Sequence, residues 1–337
     1  MDSQTIRIIN GMQTGFPLEL RPFASVGTRL HLSEETIIQG IRNLLETGFL
    51  TRFGPFFNAE RLGGGLTLAA IRVPDDDYAT VAEIVNAQPE VAHNYAREHA
   101  LNMWFVVATE KRPQIDEVLN RITALTGLEV FDLPKLEEFR LGFAVRLGED
   151  GAIDTHPQFD PAVDKALTNR MPDDLDRAII TATQAGLPLE PTPYHRVAAT
   201  VGVGVENLMH RLEEMLRRGW IRRIGLATNH YRLGLKGNGM SVWNLPDDQV
   251  TTLGQRIAGL DFVTHCYRRP RHPPTWPYNL FVMVHGADRA MVGERIGLLE
   301  ELLGPANQGH LVLHSSRILK KTGLRLRTSG GVDGCSV

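Results

Sequence analysis

His93, Tyr95 and Arg97 stand at alternate positions of the segment VAHNYAR, and His265, Tyr267 and Arg269 repeat that spacing in VTHCYRR. Side chains alternate between the two faces of a β-strand, so each trio shares one face. A guanidinium keeps its charge on burial and meets carboxylates in a two-pronged geometry. A phenol ring offers a surface for stacking, and an imidazole gives or takes a proton near neutral pH. The combination suits a flat, anionic ligand. Packing alone would not select the Arg, and surface charge alone would not need the Tyr.

The second trio is the more crowded. Arg268, Arg271 and His272 adjoin it, followed by Pro273, Pro274, Trp276, Pro277 and Tyr278. The prolines stiffen a loop that would otherwise lose more entropy on closing over a ligand. His285 ends the next apolar run, where the first trio has Ala108; near that first trio lie His99 and Trp104. The sequence therefore predicts two related but unequal sites, with the second the more complete. Motifs for other chemistries are missing: there is no HExxH, paired CxxC, GxGxxG, GxxxxGK[ST] or GxSxG. Gly63–Gly65 reads as a turn, since no helix start follows it.

Much of the chain is written twice. GFPLELRPF from Gly15 returns as GLPLEPTPY from Gly186, and LLETGFLTRFGPFFN from Leu44 returns as MLRRGWIRRIGLATN from Met215, both 171 residues on. The separation is 172 at the two trios and 177 where Asn102 meets Asn279, so the second copy is five residues longer in the Pro-rich loop. Such agreement marks a tandem duplication. In each copy, Ser33 with the apolar face Ile37, Ile38, Ile41 and Leu44, or its counterpart Leu208, Leu212 and Leu216, predicts a helix before a short hairpin or wing. That pattern is a winged helix-turn-helix. The remainder alternates strand and helix as βαββαβ, the ferredoxin-like order in an α+β fold. The expected divisions are winged helices at 1–62 and 173–234, ferredoxin-like domains at 63–147 and 235–327, a linker at 148–172 and a flexible tail at 328–337. The open faces of the two sheets are expected to meet within one chain.

A winged helix invites a DNA-binding reading, which its side chains oppose. The first recognition-helix candidate, SEETIIQGIRNLLET, offers Gln39 and Arg42 beside three Glu, and the second begins with glycines and valines. Few donors face bases or phosphates there. The whole chain carries a formal charge of -3, so any attraction for an anion must be local. Two distant cysteines, Cys266 and Cys335, make no disulfide framework, and the start MDSQTIRIIN lacks a signal-peptide core. A cytoplasmic protein with no membrane association is the expectation.

QTGFPLELRPF, LLETGFLTRFGPFFN and WPYNLFVMVHG resemble siroheme decarboxylases of the Lrp/AsnC-like superfamily, enzymes of heme d1 biosynthesis. Both halves match, in the order of the fused form in which two subunits share one chain. The resemblance implies conversion of siroheme to 12,18-didecarboxysiroheme, with loss of two acetate carboxylates as CO2. It also implies that the tetrapyrrole sits between the two ferredoxin-like domains. Carried onto this chain, it makes His265, Arg269, Tyr267, His93 and Arg97 catalytic candidates. Tyr95, His99, Trp104, Arg268, Arg271, His272, Trp276, Tyr278, Asn279 and His285 become substrate-binding candidates. Which histidine meets the siroheme iron stays open, with His265 and His285 the two candidates. No cofactor is implied beyond the iron that the substrate carries. The implied partners are siroheme, its products and the other half of the chain, with further dimerisation open. Two rival readings are a tetrapyrrole-responsive DNA-binding regulator and a non-catalytic tetrapyrrole carrier.

Overall fold

The structure, a computed structural model, describes residues 1–142, 144–156, 163–164, 167, 170–235 and 237–321. Residues 157–162, 165–166 and 168–169 of the expected linker, the expected tail and Cys335 lie outside these residues. The first winged helix contains α1 (Ser3–Met12), α2 (Pro22–Leu30), α3 (Glu34–Glu46) and β1 (Leu50–Phe57). Ser33 caps α3 as its sequence position predicts, its hydroxyl accepting from the Thr36 amide at 3.0 Å. The first ferredoxin-like domain follows as β2 (Gly65–Ile71), α4 (Tyr78–Ala87), β3 (Val91–Arg97), β4 (Met103–Thr109), α5 (Gln114–Thr126), β5 (Val130–Pro134) and β6 (Glu137–Leu141). Next comes a hairpin, β7 (Ala144–Leu147) and β8 (Ile153–His156).

The second copy repeats the plan. Its winged helix holds α6 (Asp174–Thr183), α7 (Pro193–Val201), α8 (Val205–Arg217), β9 (Ile221–Thr228) and α9 (His230–Leu233). Its ferredoxin-like domain holds β10 (Gly237–Trp243), α10 (Val250–Ala258), β11 (Val263–Arg268), β12 (Leu280–Gly286), α11 (Arg289–Leu303), β13 (His310–Leu313) and β14 (Ser315–Lys321).

Two departures from the sequence reading share one cause, which is that the copies complete each other. The last strand of each ferredoxin-like unit is broken. Its first part stays home, and its second part crosses over: β6 pairs with β11 and β14 pairs with β3. The two sheets therefore run β14-β3-β4-β2-β5 and β13-β10-β12-β11-β6. Each wing is a single strand, not a hairpin, because β1 pairs antiparallel with β9. Gly54 lies opposite Gly225 in that pairing, on the pseudo-twofold axis. A side chain at Gly225 would meet the Gln13 carbonyl at 2.4 Å, and one at Gly54 would meet the Gly186 Cα at 3.0 Å. The duplicated glycines allow each copy's GFPLE or GLPLE loop to pass over the other copy's wing. The β7–β8 hairpin adjoins and enters the expected linker. It is held on α1 by Asn10 and Gln13, whose amides exchange hydrogen bonds with the Leu147 and Val145 backbones at 2.7–2.9 Å.

Reciprocal caps fasten the crossing strands. Lys320 on β14 donates to the carbonyls of Asn86 and Gln88 at the end of α4, at 2.6 and 2.9 Å. Arg140 on β6 donates to those of Ala258 and Leu260, at the end of α10. A cation at a helix C-terminus satisfies orphan carbonyls and meets the negative end of the dipole. One apolar core joins both winged helices, with Phe16, Phe23, Phe53 and Tyr194 in ring contact. A second joins the open faces of the two sheets through Ala70, Trp104 and Phe131 from one and Val242, Phe281 and Leu313 from the other. The sheets meet face to face as expected.

This arrangement also bears on DNA. Both wing strands are spent on each other, and Arg42 on α3 donates to the Leu189 carbonyl of the other copy at 3.2 Å. The full-length chain is expected to show no specific duplex affinity at physiological salt in an electrophoretic shift assay. A salt-resistant, sequence-dependent shift at nanomolar protein would contradict that expectation.

Candidate active site

The two HxYxR trios do share one face of their strands, but that face does not line a shared cavity. Arg97 donates to the Leu313 carbonyl of the second copy at 2.7 Å, and Arg269 donates to the Leu133 carbonyl of the first. Each guanidinium leans over its neighbouring ring, Arg97 5.6 Å from Tyr95 and Arg269 5.3 Å from Tyr267. Burial pushes Arg269 down to about 10 and Arg97 in the same direction. These arginines staple the halves together, and the carboxylate-clamp role expected from the sequence is not what their geometry supports. Tyr267 is buried with its hydroxyl pKa raised by desolvation, while Tyr95 is half-buried.

The Pro-rich loop is likewise structural in its contacts. Trp276 is 0% exposed and fills the space between the sheets, 5.0 Å from the Trp104 ring, 5.6 Å from His99 and 4.9 Å from Tyr278. Trp104 donates to the Leu101 carbonyl, and His99 accepts from the Leu101 amide. His272 contacts the Asp132 carbonyl at 2.6 Å and exchanges two backbone hydrogen bonds with Trp276. Arg271 is held by Pro277, Asn244, Leu245 and Asp247, and Arg268 by Glu137 at 2.9 Å. Asn279 exchanges both of its amide functions with the Leu245 backbone, as Asn102 does with Val73. The region expected to enclose a ligand is a packed apolar plug in which many polar atoms meet the backbone, while, among the described residues, Arg97 Nε, Arg269 Nε and Trp276 Nε1 are buried without a hydrogen-bond partner.

The large cleft lies elsewhere. About 1400 Å³ opens between the paired wings, α9 and the first ferredoxin-like domain. That exceeds the roughly 300–1,000 Å³ of common small-molecule pockets and reaches the scale of a macrocycle with arms. His93 from β3 and Ala108 from β4 stand on one wall, Arg52 and Phe56 from β1 and Tyr231 and Arg232 from α9 on others, and Ile318 from β14 at the crossing strand. Of the seven, only His93 was among the sequence candidates. His265, its counterpart, sits beside Thr264 with Nδ1 2.9 Å from the hydroxyl and does not line this cleft. His285 is buried with Nδ1 on the Asn238 amide oxygen.

The cleft carries both signs of charge, but its guanidiniums differ in how they are paired. Arg52 donates to the Gln184 carbonyl at 2.9 Å and lies 4.2 Å over the Phe56 ring, which Arg223 also approaches to 3.8 Å. Among the described residues neither Arg52 nor Arg232 has a carboxylate within ion-pairing distance. Burial lowers the Arg52 pKa, the mark of a charge desolvated without compensation. Arg121, by contrast, is engaged by Glu90 at 2.8 Å and by Gln88. Glu90, Glu110 and Glu117 also border the cleft, so carboxylates and guanidiniums are equally numerous in its lining. Two uncompensated guanidiniums, an imidazole and aromatic walls can hold a large polycarboxylate and move a proton on it. Among the described residues no cluster of His, Cys, Asp and Glu could hold a metal ion, and no helix is long and apolar enough to cross a membrane.

Known proteins match this architecture in both halves. The siroheme decarboxylase NirDL-like HTH domain family matches residues 5–50 and 176–222, and the AsnC-like ligand binding domain family matches 62–140 and 232–320. The siroheme decarboxylase NirDL subunit of Paracoccus denitrificans is 33% identical over 325 residues, 96% of this chain and 97% of that one. The siroheme decarboxylase NirH subunit of Paracoccus pantotrophus is 54% identical over 156 residues, 46% of this chain but 97% of that one. The crystal structure of siroheme decarboxylase NirDL in co-complex with an iron-uroporphyrin III analogue superposes with a TM-score of 0.68 at 27% identity, covering 95% of this chain and 92% of that one. With family matches in both halves and a relative aligned over nearly its whole length, the chain belongs to the NirDL-like siroheme decarboxylase family of enzymes.

Proposed function

We propose that the chain converts siroheme to 12,18-didecarboxysiroheme in the cleft lined by His93, Arg52 and Arg232. The observation that carries this reading is the cleft itself: macrocycle-sized, with an imidazole on its wall and two guanidiniums that, among the described residues, have no carboxylate within ion-pairing distance. A related enzyme's structure with a bound iron-uroporphyrin III analogue supports a tetrapyrrole as the ligand class.

In each decarboxylation the bond between an acetate methylene and its carboxylate carbon breaks. CO2 leaves, and the electron pair stays on the methylene, conjugated with the substrate's own macrocycle. A proton then completes the methyl group. The overall change adds one proton and releases one CO2 per acetate, so no oxidant or reductant is needed. Arg52 and Arg232 hold the carboxylates that are not reacting, which orients the one that is. His93 supplies the proton, an imidazole being able to lose it near neutral pH and regain it from water. The trio arginines act one layer further out, holding the two sheets in register.

Anaerobic incubation of the purified chain with siroheme, followed by mass spectrometry, tests the reading. Two successive losses of the mass of CO2 are expected. Tight binding without mass loss would leave a carrier, and tetrapyrrole-dependent operator protection in a footprint would favour a regulator.

A further inference from the structure

The pseudo-twofold axis that relates the copies also generates a counterpart to the cleft, and that counterpart is shut. The corresponding hollow measures about 510 Å³ and is bordered by Glu60, Arg61, Lys135, Glu138 and Arg222, with Arg61 the counterpart of Arg232. Lys135 bridges Glu60 and Glu138, at 2.5 Å from each, and Arg222 reaches Glu138 at 3.3 Å. The Lys135 ammonium also lies 5.8 Å from the ring of Tyr267, the tyrosine of the second trio.

Strand registers and the sequence repeat identify which residues changed. Tyr231 of the cleft corresponds to Glu60, Thr51 to Arg222 and Ala108 to His285. Ile318 corresponds to Glu138, since Ile318 faces Tyr95 across β14–β3 as Glu138 faces Tyr267 across β6–β11. Neutral or small groups on one side are charged or bulky on the other. Charge pairs of this kind favour a closed wall, since each cation there is already met by a carboxylate of the protein.

We infer that each chain has one tetrapyrrole site, the first-copy cleft, and that its symmetry mate is an ionic lock which binds none. Both acetates are then lost in the same cleft, so the substrate turns or rebinds between the two steps. This inference rests on the reading that the cleft takes a tetrapyrrole.

Spectroscopic titration of the full chain with iron-uroporphyrin III and, without oxygen, with siroheme tests it. One equivalent per chain is expected. Two equivalents would overturn the inference while leaving the proposed function intact, whereas no binding by either probe would sink the proposed function itself. Location is fixed by Ala108→Trp, which puts an indole into the cleft wall that His93 shares and obstructs a ligand there. It should abolish binding and stop both the first decarboxylation and the decarboxylation of monodecarboxylated material isolated from a partial reaction. Retention of either step by a folded Ala108→Trp chain would place that step elsewhere and overturn the single-site inference. Ile318→Glu serves as a second variant, since Ile318 is 46% exposed and tolerates a charge. It gives the cleft the acid that the locked side carries, and about a tenfold weaker affinity is expected. Unchanged affinity in Ile318→Glu would also count against the assignment.

Discussion

Replacing His93 by Ala is expected to slow siroheme decarboxylation by about 10²-fold or more, the usual scale for a lost general acid, while the tetrapyrrole still binds. His93 is on the wall of the cleft, on the strand that β14 extends, with Ile318 and Ala108 near it. His265→Ala is the matched comparison. It removes the same residue type from the equivalent strand position, but on the side closed by Lys135. That variant should keep turnover within a few fold. Should His93 instead ligate the substrate iron, His93→Ala would change the absorption spectrum of the bound ferric form, and added imidazole would restore it. Loss of turnover in His265→Ala with wild-type rates in His93→Ala would reverse the assignment of the working copy.

The sequence carried the fold further than the site. Helix boundaries at Tyr78–Ala87 and Arg289–Leu303 and strand boundaries at Val91–Arg97 are set by local periodicity and are legible in it. The crossing of β6 and β14 is not, because the choice between a near and a distant sheet edge leaves no mark on a strand's own pattern. What the sequence does contain is a break at Pro134, which lacks an amide and ends β5. The trios carry two readings for a physical reason, and His93 keeps the first of them. Histidine, tyrosine, arginine and tryptophan are residues of binding sites, but they also build a half-polar interface between two sheets, where Arg97 and Arg269 reach main-chain carbonyls. The clearer signal lay in the differences between the copies. Thr51 against Arg222 and Ala108 against His285 leave room on one side only. Arg52 and Arg232 were hidden because a basic residue on a wing has an ordinary explanation as surface charge, and its lack of an acidic partner is visible only in three dimensions.

Arg269 and Arg52 should therefore fail in opposite ways when removed. Arg269→Ala takes away a buried charge-assisted hydrogen bond to Leu133 and the contacts with Tyr267 and Phe281, 5.3 and 5.5 Å from the guanidinium. Together these losses are expected to cost about 2–4 kcal/mol of stability, seen as a fall of several degrees in the thermal midpoint. The protein that remains folded should bind tetrapyrrole normally. Arg52→Ala removes a partly exposed guanidinium whose one protein acceptor is a loop carbonyl, so the midpoint should move by less than about 1 kcal/mol equivalent. Its loss falls on the ligand: one charged hydrogen bond to a carboxylate is worth about 1.5–3 kcal/mol, or roughly 10- to 100-fold in Kd. Arg52→Lys keeps the charge but loses the fork, and intermediate affinity is expected. Melting curves and anaerobic binding titrations on the purified variants separate the two roles. If Arg269→Ala melted like the wild type yet lost affinity, Arg269 would be the carboxylate clamp that its place in the HxYxR pattern first implied, and the space between the sheets would have to open to admit the ligand.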